Sequence, residues 1–488
     1  MRIPDFTQLS PQRLALLIGL AFALFLGAHP YITPSEARYI ELPRQMVVSG
    51  DWVVPHINGV PYFEKPPLFY WMQAIVFSMA GWGEYAGRAL TALLSVALCM
   101  LTYALGMLFY SRRVGAVAAL ALATSWLGFS LSRVVMLDVP VSVCITATLY
   151  CFLRAAREEK PPVWILYGMY IAAALGMLTK GLIAVALPGL IVLVWLAFTK
   201  NWRLLLRLRI PTGALLFLAI VLPWHIAAGN RYPEFWKFYF LHEHFDRFLT
   251  DAHHRDQPWW FFIAVLLVGI MPWLPVLARS LWQERENRDP YRVFLLLWAA
   301  IPLVFFSLSH SKLVPYIYPI FSPLCVLLAP PLLAGWERRD RLARACVYIA
   351  VLTPLLGYTA QMLAPYVWRG SVKPMAMALK EILQEGDEVA IYGNYRQDLP
   401  IYLNRNIIVG GYEGELAFGM SIEPETHQWM MSDAKFIANC QNHIFPIYIM
   451  VSDDNVERLK KQCAVSLVVD SLAPERFSLY KTQDSNHD

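Results

Sequence analysis

Carboxylates, imidazoles and cations are scarce in this 488-residue chain, and those able to do chemistry fall into a few short segments. Glu36, Arg38, Tyr62, Glu64 and Lys65 share one long loop. Arg133 and Asp138 bracket a short turn, and Lys180 closes a later apolar run. His242, Glu243, His244, Asp246, Arg247, His253, His254 and Arg255 crowd a second loop, and His310 and Lys312 occupy a third turn. Carboxylates suit acid–base or orienting work, while Lys and Arg suit an anionic group held where the dielectric is low. Ionisable residues at membrane depth are functional candidates by default. Each also has a structural reading. Lys180 and Lys312 can anchor helix ends by snorkelling, and Asp138 can cap a helix. The HEH and DAHH histidines can face solvent, and Arg38 and Arg44 can form surface ion pairs with Glu36 and Glu41 that are worth little.

The elements that must position these groups are membrane helices. The chain is 57% hydrophobic and only 16% charged, against about a quarter charged in soluble domains. Disordered, collagen-like and small disulfide-framework classes are excluded by the same composition. Apolar runs of spanning length predict eleven spans, at 12–28, 86–110, 114–130, 138–154, 163–179, 183–199, 211–228, 259–279, 291–309, 313–335 and 343–363. The total rises to thirteen if Leu68 to Ala80 and another short run cross in company. Lys and Arg collect in the loops that an inward N-terminus makes cytoplasmic, so the named polar residues face the outside. An odd number of spans leaves the tail outside as well. The tail after residue 364 carries 17 acidic and 11 basic residues.

The spans define a membrane domain, 1–364, with a large outer loop at 29–85. There Glu36 to Met46 predicts a short amphipathic helix capped by Ser35. Residues 365–488 alternate EVAIYG, NIIVGG, IFPIYIMV, VSLVVD and RFSLYK with helical patterns near 372–385 and 454–462, which predicts a small α/β domain. Five cysteines fall within spans; Cys440 and Cys463 lie in the tail, as a disulfide pair or as two thiols. A net charge of +5 gives no sign of nucleic acid.

The first loop, PSEARYIELPRQMVVSGDWVVPHINGVPYFEKPPLFYW, resembles that of bacterial polyprenyl-phosphate-sugar glycosyltransferases. This family includes the lipid A aminoarabinose transferases and is related to protein O-mannosyltransferases. RVVMLDVP, EHFDRF and SKLVPYIYP follow in the family's order. The resemblance implies the GT-C type of membrane fold, a sugar donor on undecaprenyl or a similar polyprenyl phosphate, and a bacterial inner-membrane location with the site and the tail periplasmic. It implies that Lys65, Arg247 and Lys312 meet the leaving phosphate, with Tyr316 near it and Tyr62 lining the substrate site. It further implies that Glu64 and His244 hold a divalent ion such as zinc.

One position departs from the pattern. Ser35-Glu36 stands where the family presents Asp-Glu, with that Asp as its proposed catalytic residue. Either Glu36 takes the role with a longer reach, or Asp138 does. A phosphate acceptor, with a second pKa near ~6, is already mostly dianionic at neutral pH and needs less base assistance than a hydroxyl. The expected reaction is transfer of a sugar such as 4-amino-4-deoxy-L-arabinose to lipid A or another envelope glycolipid. The alternatives are protein O-glycosylation, lipid or solute transport, and an inactive member whose outer domain binds a partner.

Overall fold

The computed structural model describes residues 9–246, 257–367, 371–412, 414–442, 447–470 and 476–482; of residues 244–246 and 364–367 it describes the backbone. Arg247, His253, His254 and Arg255 lie outside the described residues. The chain forms two compact units. One contains Met1–Leu26, Glu64–Phe69 and Arg88–Thr359; the other contains Gly27–Phe63, Tyr70–Gly87 and Ala360–Asp488.

The first unit is helical. Seven helical segments among the described residues are long and apolar enough to span a bilayer: Glu84–Phe109, Asp138–Arg157, Val163–Lys180, Ile210–Arg231, Pro290–Leu308, Val314–Glu337 and Arg341–Leu363. The first of these straddles the boundary of the units at Gly87/Arg88. The expected straight span at 259–279 is instead two helices, Phe261–Gly269 and Leu274–Gln283, bent by 106°. Pro272 and Pro275 remove ladder donors at that bend. The expected 114–130 run divides at Ser125, whose hydroxyl donates to Leu122 O (2.8 Å) and accepts from Gly128 N (3.2 Å). The hydroxyl thereby ends Arg112–Thr124 and caps Trp126–Leu131. Pro11–Ala23, Leu68–Ala80 and Ile183–Thr199 are apolar helices of 13, 13 and 17 residues, shorter than a perpendicular crossing needs at 1.5 Å per residue. These interruptions separate the count by length, seven or eight with the bent pair, from the eleven expected.

Arg133, a candidate by its place in an outer turn, has a structural task. Its guanidinium donates to Phe22 O (2.8 Å) and to Leu24 O, covering carbonyls at the end of Pro11–Ala23 as a cation at a helix C-terminus does. It also lies over the Phe129 and Tyr358 rings, at 5.2 and 5.1 Å.

The second unit joins the first outer loop to the tail. A hairpin of β1 (His56–Ile57) and β2 (Val60–Pro61) lies in the loop. The tail builds a six-stranded sheet from β3 (Glu388–Tyr392), β4 (Ile408–Gly410), β5 (Met430–Met431), β6 (Ile447–Ser452), β7 (Val465–Val469) and β8 (Phe477–Thr482), in the order β5-β4-β3-β6-β8-β7. β5, β4, β3 and β6 are parallel; β8 runs antiparallel to β6, and β7, antiparallel to β8, has the direction of the first four again. Ala390, Ile449, Val451, Phe436, Leu459 and Tyr480 fill one core beside this sheet. There Tyr392 donates to Asp433 Oδ1 (2.7 Å), and burial, reinforced by that carboxylate, pushes its phenol up to about 12. Of the six strands of this sheet only β5 is not anticipated by the sequence; two residues are too few to leave a periodic signal.

The expected loop helix runs longer, Ser35–Ser49, and buries residues Glu36 to Met46 apart from the half-buried Tyr39. It is not amphipathic, because the rest of its unit surrounds it. Ser35 is not its cap: Pro34 holds that position without a side-chain bond, and the Glu36 carboxylate accepts from Ile32 N (3.0 Å) instead. Arg44 and Glu41 make a buried bidentate pair, with both bonds at 2.7 Å, in place of the expected surface contact. Burial opposes the Arg44 charge, and Glu41 outweighs it, holding the guanidinium above its ordinary pKa. Arg38 pairs with Glu415. Asn58 accepts from Ile407 N and donates to Ile407 O, both at 2.9 Å.

Cys440 and Cys463 are joined in a disulfide that closes 23 residues, with Cα atoms 5.8 Å apart. Loop-closure entropy for that length is worth about 3 kcal/mol. Alkylation of the denatured, unreduced chain is expected to modify the five free cysteines, and Cys440→Ser to lower the melting temperature of the C-terminal region in the full-length protein. Seven alkylated thiols in protein from an oxidising compartment would contradict the bridge.

Candidate active site

Two antiparallel helices create the best-defined part of the site. Asp138–Arg157 and Val163–Lys180 have 20 and 18 residues, so the start of one lies level with the end of the other. Asp138 is the first residue of its helix and Lys180 the last of its own, each favoured there by the helix dipole. Their side chains meet, with Nζ 2.5 Å from Oδ1, and both are largely buried. Asp138 is therefore no N-cap; Leu137 holds that position. The Lys180 ammonium also lies 4.7 Å from the centre of the Tyr316 ring, which comes from the 3-10 segment Val314–Ile320. The expected residues Asp138 and Tyr316 are thus brought together by Lys180, a residue the sequence left divided between anchor and site.

Lys65 and Glu64 begin the EKPP segment. Lys65 Nζ donates to Glu64 O (2.6 Å) and to Glu243 Oε2 (2.8 Å). Glu243 lies in a nine-residue π-helix, Phe238–Asp246, a form that is rare and common at functional sites. Sequence reasoning favoured its neighbours; the signal for Glu243 was an acid between two histidines, which spacing alone does not rank. Glu64 is buried. Among the described residues no three His, Cys, Asp or Glu side chains converge as a metal would require. The His244 side chain lies outside them, so the expected Glu64–His244 pair falls only in part among the described residues.

Lys312 is 7% exposed and has no hydrogen bond or ion pair among the described residues. Every other buried Asp, Glu, Lys or Arg among them has a partner. Glu36 and Tyr62 belong to the second unit. The Tyr62 hydroxyl there stands 3.5 Å from Arg38 Nη1, and Glu36 is fully buried.

Comparison with known proteins decides the family. The model for dolichyl-phosphate-mannose-protein mannosyltransferases matches residues 12–239, and the aminoarabinose transferase C-terminal domain matches 375–472. The undecaprenyl phosphate-alpha-4-amino-4-deoxy-L-arabinose arabinosyl transferase 2 of Pseudomonas fluorescens (strain Pf0-1) is 36% identical over 72% of this chain and 65% of its own length. The chain belongs to the aminoarabinose transferase family. The corresponding enzyme of Edwardsiella ictaluri (strain 93-146) is 32% identical over 73% of this chain and 65% of its own, so the matches span just under two thirds of these relatives. The family fold is present throughout: ArnT from Cupriavidus metallidurans, in a crystal structure bound to undecaprenyl phosphate, superposes with TM-score 0.88 at 23% identity, covering 97% of this chain and 98% of that one. The Archaeoglobus fulgidus oligosaccharyltransferase in the apo form has TM-score 0.55 at 12% identity, over 91% and 70%. The chain is thus a polytopic GT-C membrane protein with an α/β C-terminal domain.

Removing one member of the Asp138–Lys180 pair strands the other in a buried place. Lys180→Met is expected to destabilise the protein by about 3–5 kcal/mol, and the double variant Asp138→Asn/Lys180→Met to recover most of that loss, as read by thermal unfolding in detergent.

Proposed function

We propose that the chain moves 4-amino-4-deoxy-L-arabinose from undecaprenyl phosphate to lipid A at the periplasmic face of the bacterial inner membrane. The observation that carries this reading is Lys312, a buried lysine whose ammonium lacks a counter-charge among the described residues of a protein that pairs its other buried charges. An ion so placed is stable when an anion arrives, and a polyprenyl phosphate brings one at membrane depth. The names and bound lipid of the relatives point to the same donor.

In the reaction the bond between the sugar C1 and the donor phosphate oxygen breaks, and a bond from C1 to an acceptor oxygen forms. The bonding electron pair leaves with the lipid phosphate, whose charge Lys312 and Lys65 balance. Lys65 is already positioned by Glu243 and the Glu64 carbonyl, so it need not be ordered during turnover. Asp138, fixed by Lys180, offers a carboxylate to orient the acceptor. With a phosphate acceptor that nucleophile carries its own charge, which accommodates Ser35 at the family's Asp position. The mannosyltransferase match over residues 12–239 supports a second reading with a protein hydroxyl acceptor.

Lys312→Met is expected to lower transfer by about a hundredfold or more with an unchanged melting temperature, since no partner among the described residues is lost. The assay supplies undecaprenyl-phosphate aminoarabinose and lipid A to the purified full-length protein. Near-normal transfer by both Lys312→Met and Lys65→Met would remove the proposed phosphate site, and transfer to a peptide Ser in place of lipid A would select the second reading.

A further inference from the structure

The tail sheet carries a cavity unrelated to the lysines above. It measures about 350 Å³ and is lined by Glu388, Ile408, Gln428, Trp429, Met431, Phe436, Asn439 and Ile447. Glu388, Ile408 and Ile447 are the first residues of the parallel strands β3, β4 and β6, so the cavity opens at the amino ends of the sheet. Phe436 and Asn439 come from one face of helix Asp433–Gln441, three residues apart. Gln428 and Trp429 follow from the short turn Pro424–Gln428.

Three features define its chemistry. Trp429 is tied by its edge, its indole N–H donating to Asn58 O (2.7 Å), which leaves a half-buried ring on the cavity wall. The Glu388 carboxylate and the Gln428 amide have no hydrogen bond or ion pair among the described residues, while Asn439 reaches only the Met431 sulfur (3.3 Å). The lining contains no Lys or Arg. An aromatic face beside a carboxylate and two amides offers an apolar platform ringed by directional donors and acceptors. The volume is at the low end of the about 300–1,000 Å³ of small-molecule sites, enough for one ring. Without a cation, the lining rejects phosphates and nucleotides.

We propose that this cavity is a saccharide-binding subsite that takes one neutral or cationic pyranose ring, with its C–H face on Trp429 and its hydroxyl or ammonium groups on Glu388, Gln428 and Asn439. An amino sugar gains a charge-assisted bond to Glu388. This goes beyond the transfer reaction and does not depend on it: the cavity can bind sugar whether or not Lys312 and Lys65 hold a phosphate.

Saturation-transfer NMR on the full-length protein in nanodiscs tests this with methyl β-glucosaminide, methyl β-glucoside and glucose 6-phosphate at millimolar concentration. Both glycosides are expected to receive saturation at their ring C–H protons, and the sugar phosphate none. Glu388→Gln should weaken the glucosaminide by about tenfold or more, the worth of one charge-assisted bond, and affect the glucoside less. Trp429→Ala should abolish both signals. Glu388 makes no contact that folding would miss, so its variant remains decisive if Trp429→Ala fails to fold. Embedding a glucosamine-headed glycolipid in the nanodisc distinguishes the sources: displacement of the methyl glycoside assigns a lipid-borne ring, and undiminished binding a free sugar. No saturation of either glycoside, or equal signals in wild type and Glu388→Gln for the glucosaminide, would overturn the proposal.

Discussion

A charge taken out of water must meet an opposite charge or a set of dipoles, and in this lipid-solvated chain that requirement organises nearly everything else. Asp138 with Lys180 fixes the ends of two helices against each other. Lys65 with Glu243 ties the EKPP segment to the π-helical stretch. Arg88 spends a guanidinium N–H on Leu26 O (2.8 Å), and Arg133 covers the carbonyls at the end of the first helix. Against that pattern Lys312 stands out, as the one buried charge without a partner among the described residues.

The same requirement shapes the second unit by other means. Between Glu36 and Met46 the loop helix is buried apart from the half-buried Tyr39, and its polar groups find partners from the tail. Arg44 reaches Asn404 (3.2 Å) and Gln45 reaches Asn406 (2.5 Å). Lys373 meets Glu84 at 2.5 Å, and Tyr402 receives the Tyr31 N–H (2.9 Å). Burial lifts the Tyr402 phenol above its ordinary range, and Glu84 adds to the effect, so the hydroxyl stays protonated.

How far this was legible in the sequence depends on the range of the signal. Hydropathy marks apolar runs well, because lipid imposes length and composition together; it misses the breaks at Ser125 and Pro272, where one residue redirects a helix. Period-two runs located β3, β4, β6, β7 and β8, as expected of strands whose side chains alternate across a sheet. Lys65, Asp138 and Tyr316 were readable from motifs, but their partners were not. Glu243, Lys180 and Glu415 are 178, 42 and 377 residues from Lys65, Asp138 and Arg38, and no local pattern encodes such distances. For the same reason the loop helix read as a half-exposed surface element: nothing near residues 35–49 announces that the tail will enclose it.

That enclosure has a consequence for biosynthesis. Asn58 and Ile407, whose side chain and backbone interlock, are 349 residues apart, and at about 5–20 residues per second the ribosome needs tens of seconds to make the second after the first. Throughout that interval the loop waits with Arg44, Gln45 and Asn58 lacking their tail partners. Maturation of the second unit therefore waits for the tail, and a nascent chain stalled before β4 carries its membrane helices complete while the loop remains unfinished.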